Sequence, residues 1–233
     1  MCIRDSCDRE SLMKFVEELI KELVKRFNKK FNKKEMYIIE YQGHKIDFGK
    51  KWKRIKYVDI IKKYTDLDYF KNSLEDFINF AKKNNIEFNP KIITKGKIVD
   101  EIFKKIIRKE LIQPTFLIDH PKEISPLAKL NRKNPELTLR FQGYIGGLEV
   151  INAFAELNDP IDQKNRFEEQ SKLLKQGDEE AHPYDETFIE ALEYGMPPTA
   201  GLGIGIDRLV MILTNSKYLK EVIYFPFVKE KEN

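Results

Sequence analysis

The chain has 233 residues, 41% hydrophobic and 34% charged, enough for one large domain or a domain with an inserted subdomain. Its net charge of +4 permits a polyanionic partner without demanding one, and its two cysteines, Cys2 and Cys7, exclude a disulfide framework or a Cys/His metal cluster, so a reducing, cytoplasmic setting is the simplest expectation. No apolar run is long enough to span a membrane, and the start lacks the apolar stretch of a signal peptide.

Leu12, Phe15, Val16, Leu19, Ile20, Leu23, Val24 and Phe27 recur at three- and four-residue steps and predict a long amphipathic helix with a lysine-rich outer face. Residues 36–41 and 45–48 read as two strands around Gln42-Gly43-His44. Short helices follow, one marked by Val58, Ile61 and Tyr64, the next by Leu74, Phe77, Ile78 and Ala81, and another by Ile98, Ile102, Phe103, Ile106 and Ile107. The portion 57–110 is expected to be a helical insertion with little chemistry of its own. His44, His120 and His182 fall in expected loops and read as surface or structural residues rather than ligands.

From Gln113 the character changes. Residues 114–119 predict a short strand, and 140–145 and 148–157 predict longer ones joined by the hairpin signal Gly146-Gly147. Pro160 opens a helix running toward Leu174, with Gly177 to stop it, and a further helix spans 185–194 with Gly195 as its cap. A last strand is expected at 222–225, ending at Pro226. Strands joined by short turns imply an α+β fold on an antiparallel sheet with flanking helices.

The most informative stretch is Gly201-Leu202-Gly203-Ile204-Gly205-Ile206-Asp207-Arg208. In a strand, Leu202, Ile204 and Ile206 share one face, while the three glycines leave the other face bare. Glycine weakens a strand, so three of them need a reason, and close approach by a flat ligand supplies one. Arg208 follows where the pattern turns helical, placed to reach across the glycines toward phosphate. A glycine-rich turn before an amphipathic helix is the plainer alternative. Upstream, Asn152, Phe154, Glu156 and Asn158 share a strand face by parity, a pattern that suits either an exposed face or a pocket floor for a cationic ligand. Glu149 falls on the opposite parity and joins that face only if the strand bulges between Glu149 and Asn152. A carboxylate beside a phosphate-binding floor can hold magnesium, and Glu149 is the best candidate.

Residues 201–211 resemble motif 3 of the class II aminoacyl-tRNA synthetases. The run Phe154-Ala155-Glu156-Leu157-Asn158-Asp159-Pro160, together with Gln113-Pro114-Thr115-Phe116, Ser125-Pro126-Leu127-Ala128-Lys129 and Ala191-Leu192-Glu193-Tyr194-Gly195, is similar to the lysyl-tRNA synthetases. The likeness covers about 8–228. It implies activation of lysine by ATP with Mg2+ and transfer to tRNA(Lys), in a protein that is a homodimer at full length. It also implies roles: Arg208 as the catalytic arginine against adenine and phosphate; Gly201, Gly203 and Gly205 as the ATP floor; Glu149 as an ATP-facing metal ligand; Asn152, Phe154 and Glu156, with Gly203, as the lysine pocket, Asn152 also touching ATP.

Three departures accompany the likeness. Where the family has a second magnesium-binding glutamate, this chain has Gln142, which implies weakened metal binding there. Residues 1–6 do not fit the pattern and are expected to be a non-native or disordered start. The family's anticodon-binding barrel, motif 1 and motif 2 all lie before the matched region, so the chain is expected to be a C-terminal catalytic fragment, nearly inactive alone. A shortened paralogue that lysylates a protein and a non-catalytic nucleotide-binding module stand as alternatives.

Overall fold

The computed structural model describes residues 2–5, 9–90, 92–178 and 181–226. The long helix expected near the start is α1 (Arg9–Lys30), whose helical period buries Leu12, Met13, Val16, Ile20 and Val24. The next hairpin forms from β2 (Ile38–Tyr41) and β3 (His44–Asp47). A strand that the pattern does not announce, β4 (Lys53–Lys56), follows. Its Lys-Arg-Ile-Lys sequence has almost no apolar alternation; it is tolerated because β4 is a sheet edge, where lysine discourages further pairing.

Helices α2 (Tyr57–Thr65), α3 (Leu74–Lys83) and α4 (Lys95–Ile102) lie within the portion 57–110 expected to be a helical insertion. A π-helical turn at Phe103–Ile107 extends α4. β5 (Thr115–Ile118) then pairs parallel to β4. Parallel neighbours need a long crossover, so the helical segment is the β4-to-β5 connection. β6 (Leu130–Asn131) and β7 (Asn134–Thr138) form a small hairpin that the sequence pattern also leaves unannounced. β8 (Arg140–Ile145) and β9 (Leu148–Ala155) meet at Gly146 and Gly147, whose φ angles of 59° and 75° are left-handed, as a tight hairpin turn demands. Helix α5 (Pro160–Lys175) starts where Asp159 accepts hydrogen bonds from the N–H groups of Ile161 and Asp162, with Pro160 in its first turn. Then come α6 (Glu186–Glu193), β10 (Thr199–Ile204) and α7 (Ile206–Thr214).

The main sheet has six strands in the order β1-β10-β9-β8-β5-β4, where β1 is Cys2–Asp5. Every pair except β4–β5 is antiparallel. The start of the chain, expected to be disordered, therefore contributes backbone that covers the free edge of β10. The strand expected at 222–225 does not form. With the β10 edge already taken, that segment follows a 3-10 turn at Leu219–Glu221 and leaves Tyr224 97% and Phe225 91% exposed. Ile206 also departs from expectation: the strand stops at Ile204, and Ile206 opens α7 at 62% exposure instead of sharing the core face with Leu202.

Two cores flank the sheet. On one face, α1, α7 and the β2–β3 hairpin pack over Phe141, Ile151, Ala153 and Leu202. On the other, the insertion helices pack over Leu117 and Tyr144, covering only the β5–β8 side. Among the described residues no helix is long and apolar enough to cross a membrane.

Candidate active site

The face of β8, β9 and β10 turned away from the first core carries the chemistry. Register sets Gln142 opposite Asn152 and Asn152 opposite Gly203; in the next row, Arg140 faces Phe154 and Phe154 faces Gly201. Residues Phe141, Ala153 and Leu202, one step off in each strand, are in the core, so alternation puts the polar rows on the opposite side.

Glu149 joins them through a bulge. The β8–β9 pairing shifts between Gly143–Ile151 and Tyr144–Glu149, leaving Val150 as the extra residue. That is the irregularity the sequence requires if Glu149 and Asn152 are to share a site. Both line a cavity of about 390 Å³, with Gln142 and Phe154. The insertion also enters this wall, through Lys97, Asp100 and Lys104 of α4 and its extension. The expectation that it brings little chemistry is corrected on that point: the helical period sets these three residues on one side of the helix, over the uncovered part of the sheet.

Two arginines absent from the sequence-based candidates build the rest. Arg140 donates from Nε to Asn152 Oδ1 at 3.0 Å, and from Nη1 to the Ile124 carbonyl at 2.7 Å and Ser125 Oγ at 3.2 Å. Arg166, 2% exposed, holds Asp162 with two hydrogen bonds and donates to the carbonyls of Ala128 at 2.8 Å and Ser125 at 3.2 Å. Together they pin the 124–128 segment that walls the cavity. Both were detectable. Arg140 shares parity with Gln142, and Arg166 stands four residues after Asp162 on a helix.

Gln142 is occupied within the fold. His120, 1% exposed, is held well below the usual imidazole range by burial and by the Arg140 cation, and is neutral at pH 7. The Gln142 Oε1 lies 2.8 Å from His120 Nε2 and accepts from the Tyr144 hydroxyl at 3.1 Å. His120 is thus hydrogen-bonded in a buried position rather than on a surface loop, and it is among the residues lining the cavity. His182 lines the same cavity.

Glu156, Arg208 and the glycines are not among the residues that line this cavity; Gly201 and Gly203 pair with its Phe154 and Asn152, and Arg208 is tied to its Glu149. Glu156 lies just past the end of β9, and its Oε1 is buried with no hydrogen-bond partner among the described residues. Burial pushes its carboxyl up to about 7. Arg208 is exposed on the first turn of α7 and donates from Nη1 to the Glu149 carbonyl at 2.7 Å, which ties it to the bulge. A Cβ placed on Gly203 would meet only the Asn152 carbonyl oxygen, at 3.4 Å. Among the described residues no neighbouring group therefore forces that residue to be glycine. Asn158 is drawn away from the site: it accepts from Lys129 Nζ at 2.7 Å and donates to the Met196 carbonyl at 3.0 Å.

The family model for class II tRNA synthetases (D, K and N) matches residues 5–229. The chain belongs to this family. It is 50% identical over 194 residues to the lysine–tRNA ligase of Prochlorococcus marinus (strain MIT 9515), covering 82% of this chain and 38% of that protein. It is 52% identical over 196 residues to that of Thermoanaerobacter pseudethanolicus, covering 84% and 39%. It is 50% identical to that of Staphylococcus epidermidis over 194 residues, covering 83% and 39%. The chain thus spans about two fifths of the length of these relatives, and its α+β sheet is consistent with the catalytic core of the class.

Proposed function

We propose that this chain carries the ATP- and lysine-binding part of a lysine–tRNA ligase. The observation that carries the reading is one strand, β9, which brings Glu149, Asn152 and Phe154 to one cavity and continues directly into Glu156, a half-buried carboxylate whose Oε1 is buried with no partner among the described residues. A lysine ammonium supplies the charge that Glu156 lacks. Phe154 forms a wall for the aliphatic stem. The bare backbone of Gly201, Gly203 and Gly205 leaves room for adenine, and Arg208 stands beside it to neutralise phosphate.

In the reaction, a lysine carboxylate oxygen attacks the α-phosphorus of ATP, the bond to the leaving pyrophosphate breaks, and lysyl-adenylate forms. The lysyl group then passes to the terminal ribose of tRNA(Lys), releasing AMP. No protein atom becomes bonded to substrate; the residues position and neutralise. The donor set fits a magnesium ion only partly. Glu149 supplies one carboxylate, Gln142 Oε1 is already engaged, and no cluster of three acidic, His or Cys groups occurs among the described residues. Glu149 would hold an ion whose remaining ligands are substrate phosphates and water, and whose charge eases attack at phosphorus.

The engaged Gln142 favours a second reading, a nucleotide-binding module without catalysis. Calorimetry and pyrophosphate exchange on the isolated chain separate the two. The proposal expects binding of lysine and of ATP with magnesium, and little lysine-dependent exchange by this part alone. Binding of ATP with no response to lysine supports the module; binding of neither ligand overturns both.

A further inference from the structure

We infer that Arg140 is a positioning residue: it turns the Asn152 amide so that its NH2 group faces the cavity, and the ligand must bring an oxygen acceptor to that point. Only the ligand's identity rests on the proposed function. A guanidinium has five N–H donors and no acceptor. The atom of Asn152 that lies 3.0 Å from Arg140 Nε must therefore be its oxygen, which removes the two-fold ambiguity of a side-chain amide. The same guanidinium is anchored at its far end by the Ile124 carbonyl and the Ser125 hydroxyl, so it cannot swing away without leaving those groups unpaired. Among the described residues the Asn152 nitrogen makes no hydrogen bond, and Asn152 lines the cavity between Gln142 and Gly203.

An NH2 group there repels an ammonium and donates to a carboxylate, carbonyl or phosphate oxygen.

The test uses the full chain and a non-hydrolysable sulfamate analogue of lysyl-adenylate. Asn152→Asp keeps an oxygen for Arg140 but replaces the cavity-facing donor with an acceptor. It is expected to melt at or above the wild-type temperature while binding the analogue at least about tenfold more weakly. Equal binding by Asn152→Asp overturns the donor orientation. Arg140→Lys is expected to weaken binding by a smaller factor, since the amide becomes free to turn. Amide-resolved NMR of the unliganded chain reads the positioning directly: the Arg140 Nε–H should exchange slowly, and should speed up in Asn152→Ala. Fast exchange in the wild type overturns the positioning role whatever the ligand. A protected Nε–H in a chain that fails to bind the analogue upholds the positioning and overturns the proposed function instead.

Discussion

The two faces of β8, β9 and β10 are built from alternate residues of the same strands and follow opposite rules. On one face Phe141, Ala153 and Leu202 are buried against α1 and α7, with every side chain apolar. On the other, Arg140, Gln142, Asn152, Phe154 and Gly203 sit one residue away along the chain. The first face is satisfied by the protein itself. Among the described residues, the second keeps a carboxylate oxygen of Glu156 and the amide nitrogen of Asn152 without a partner, and a glycine no neighbour requires. Stability is made on one side of the sheet and held back on the other, which is how a strand comes to specify both a fold and a site.

The largest effect should come from attacking the stabilising face. Phe141 is fully buried and packs edge-on to Phe116, with ring centroids 5.3 Å apart. Phe141→Ala should cost about 4 kcal/mol through lost burial and the cavity left behind. Urea unfolding measures it. A loss below about 1 kcal/mol, within the range of surface substitutions, would mean the two faces do not divide the work as described.

A smaller change, of opposite sign, is expected on the site face. The Glu156 carboxyl has a folded pKa of about 7 against an ordinary value of 4.5. As pH rises, the unfolded chain releases this proton first, so stability falls between pH 4.5 and 7, and the deficit is complete above that window. Discounted for partial exposure, the deficit is roughly 2 kcal/mol. Glu156→Gln should therefore be more stable than the wild type at pH 8 and indistinguishable from it near pH 4.5, while losing any thermal upshift on adding lysine. Parallel stability curves for the two proteins across that range would remove Glu156 from the strained side of the comparison.

Much of this contrast was readable from the residues. Alternation in β9 and β10 set the two faces apart, Gly146-Gly147 marked the hairpin, and parity let Glu149 join Asn152 only through a bulge, without showing that one forms. What escaped had identifiable causes. β4 hides because edge strands do not need apolar alternation, and its lysines mask it. The 222–225 segment reads as a strand because it is a run of β-branched and aromatic residues, and such a run carries no information about which sheet edge is free. The parity of Arg140 and the spacing of Arg166 from Asp162 are visible, but their tie to the 124–128 segment is not, because it runs largely to backbone carbonyls, which look the same at every residue. Asp100, Lys97 and Lys104 escaped because a helical insertion reveals its own core stripe but not the surface its polar side overhangs.

The smallest change in stability gives the sharpest division between the faces. Gly203 pairs with Asn152 in the middle of the site row, and a Cβ there would meet only a carbonyl oxygen at ordinary contact distance. Glycine within a strand is less stable than alanine by roughly 0.5–1 kcal/mol, because it surrenders more backbone freedom on folding. If packing alone selected the residue, Gly203→Ala would be neutral or slightly stabilising, with no other consequence. If the bare backbone is a surface for a flat ligand, the same methyl group occupies the space the ligand needs. The expected outcome is a variant that melts at or a little above the wild-type temperature and binds ATP with magnesium at least about tenfold more weakly, a loss near 1.4 kcal/mol. Unchanged nucleotide affinity would leave Gly203 without a ligand-binding role, since no described neighbour gives that position a reason to lack a side chain.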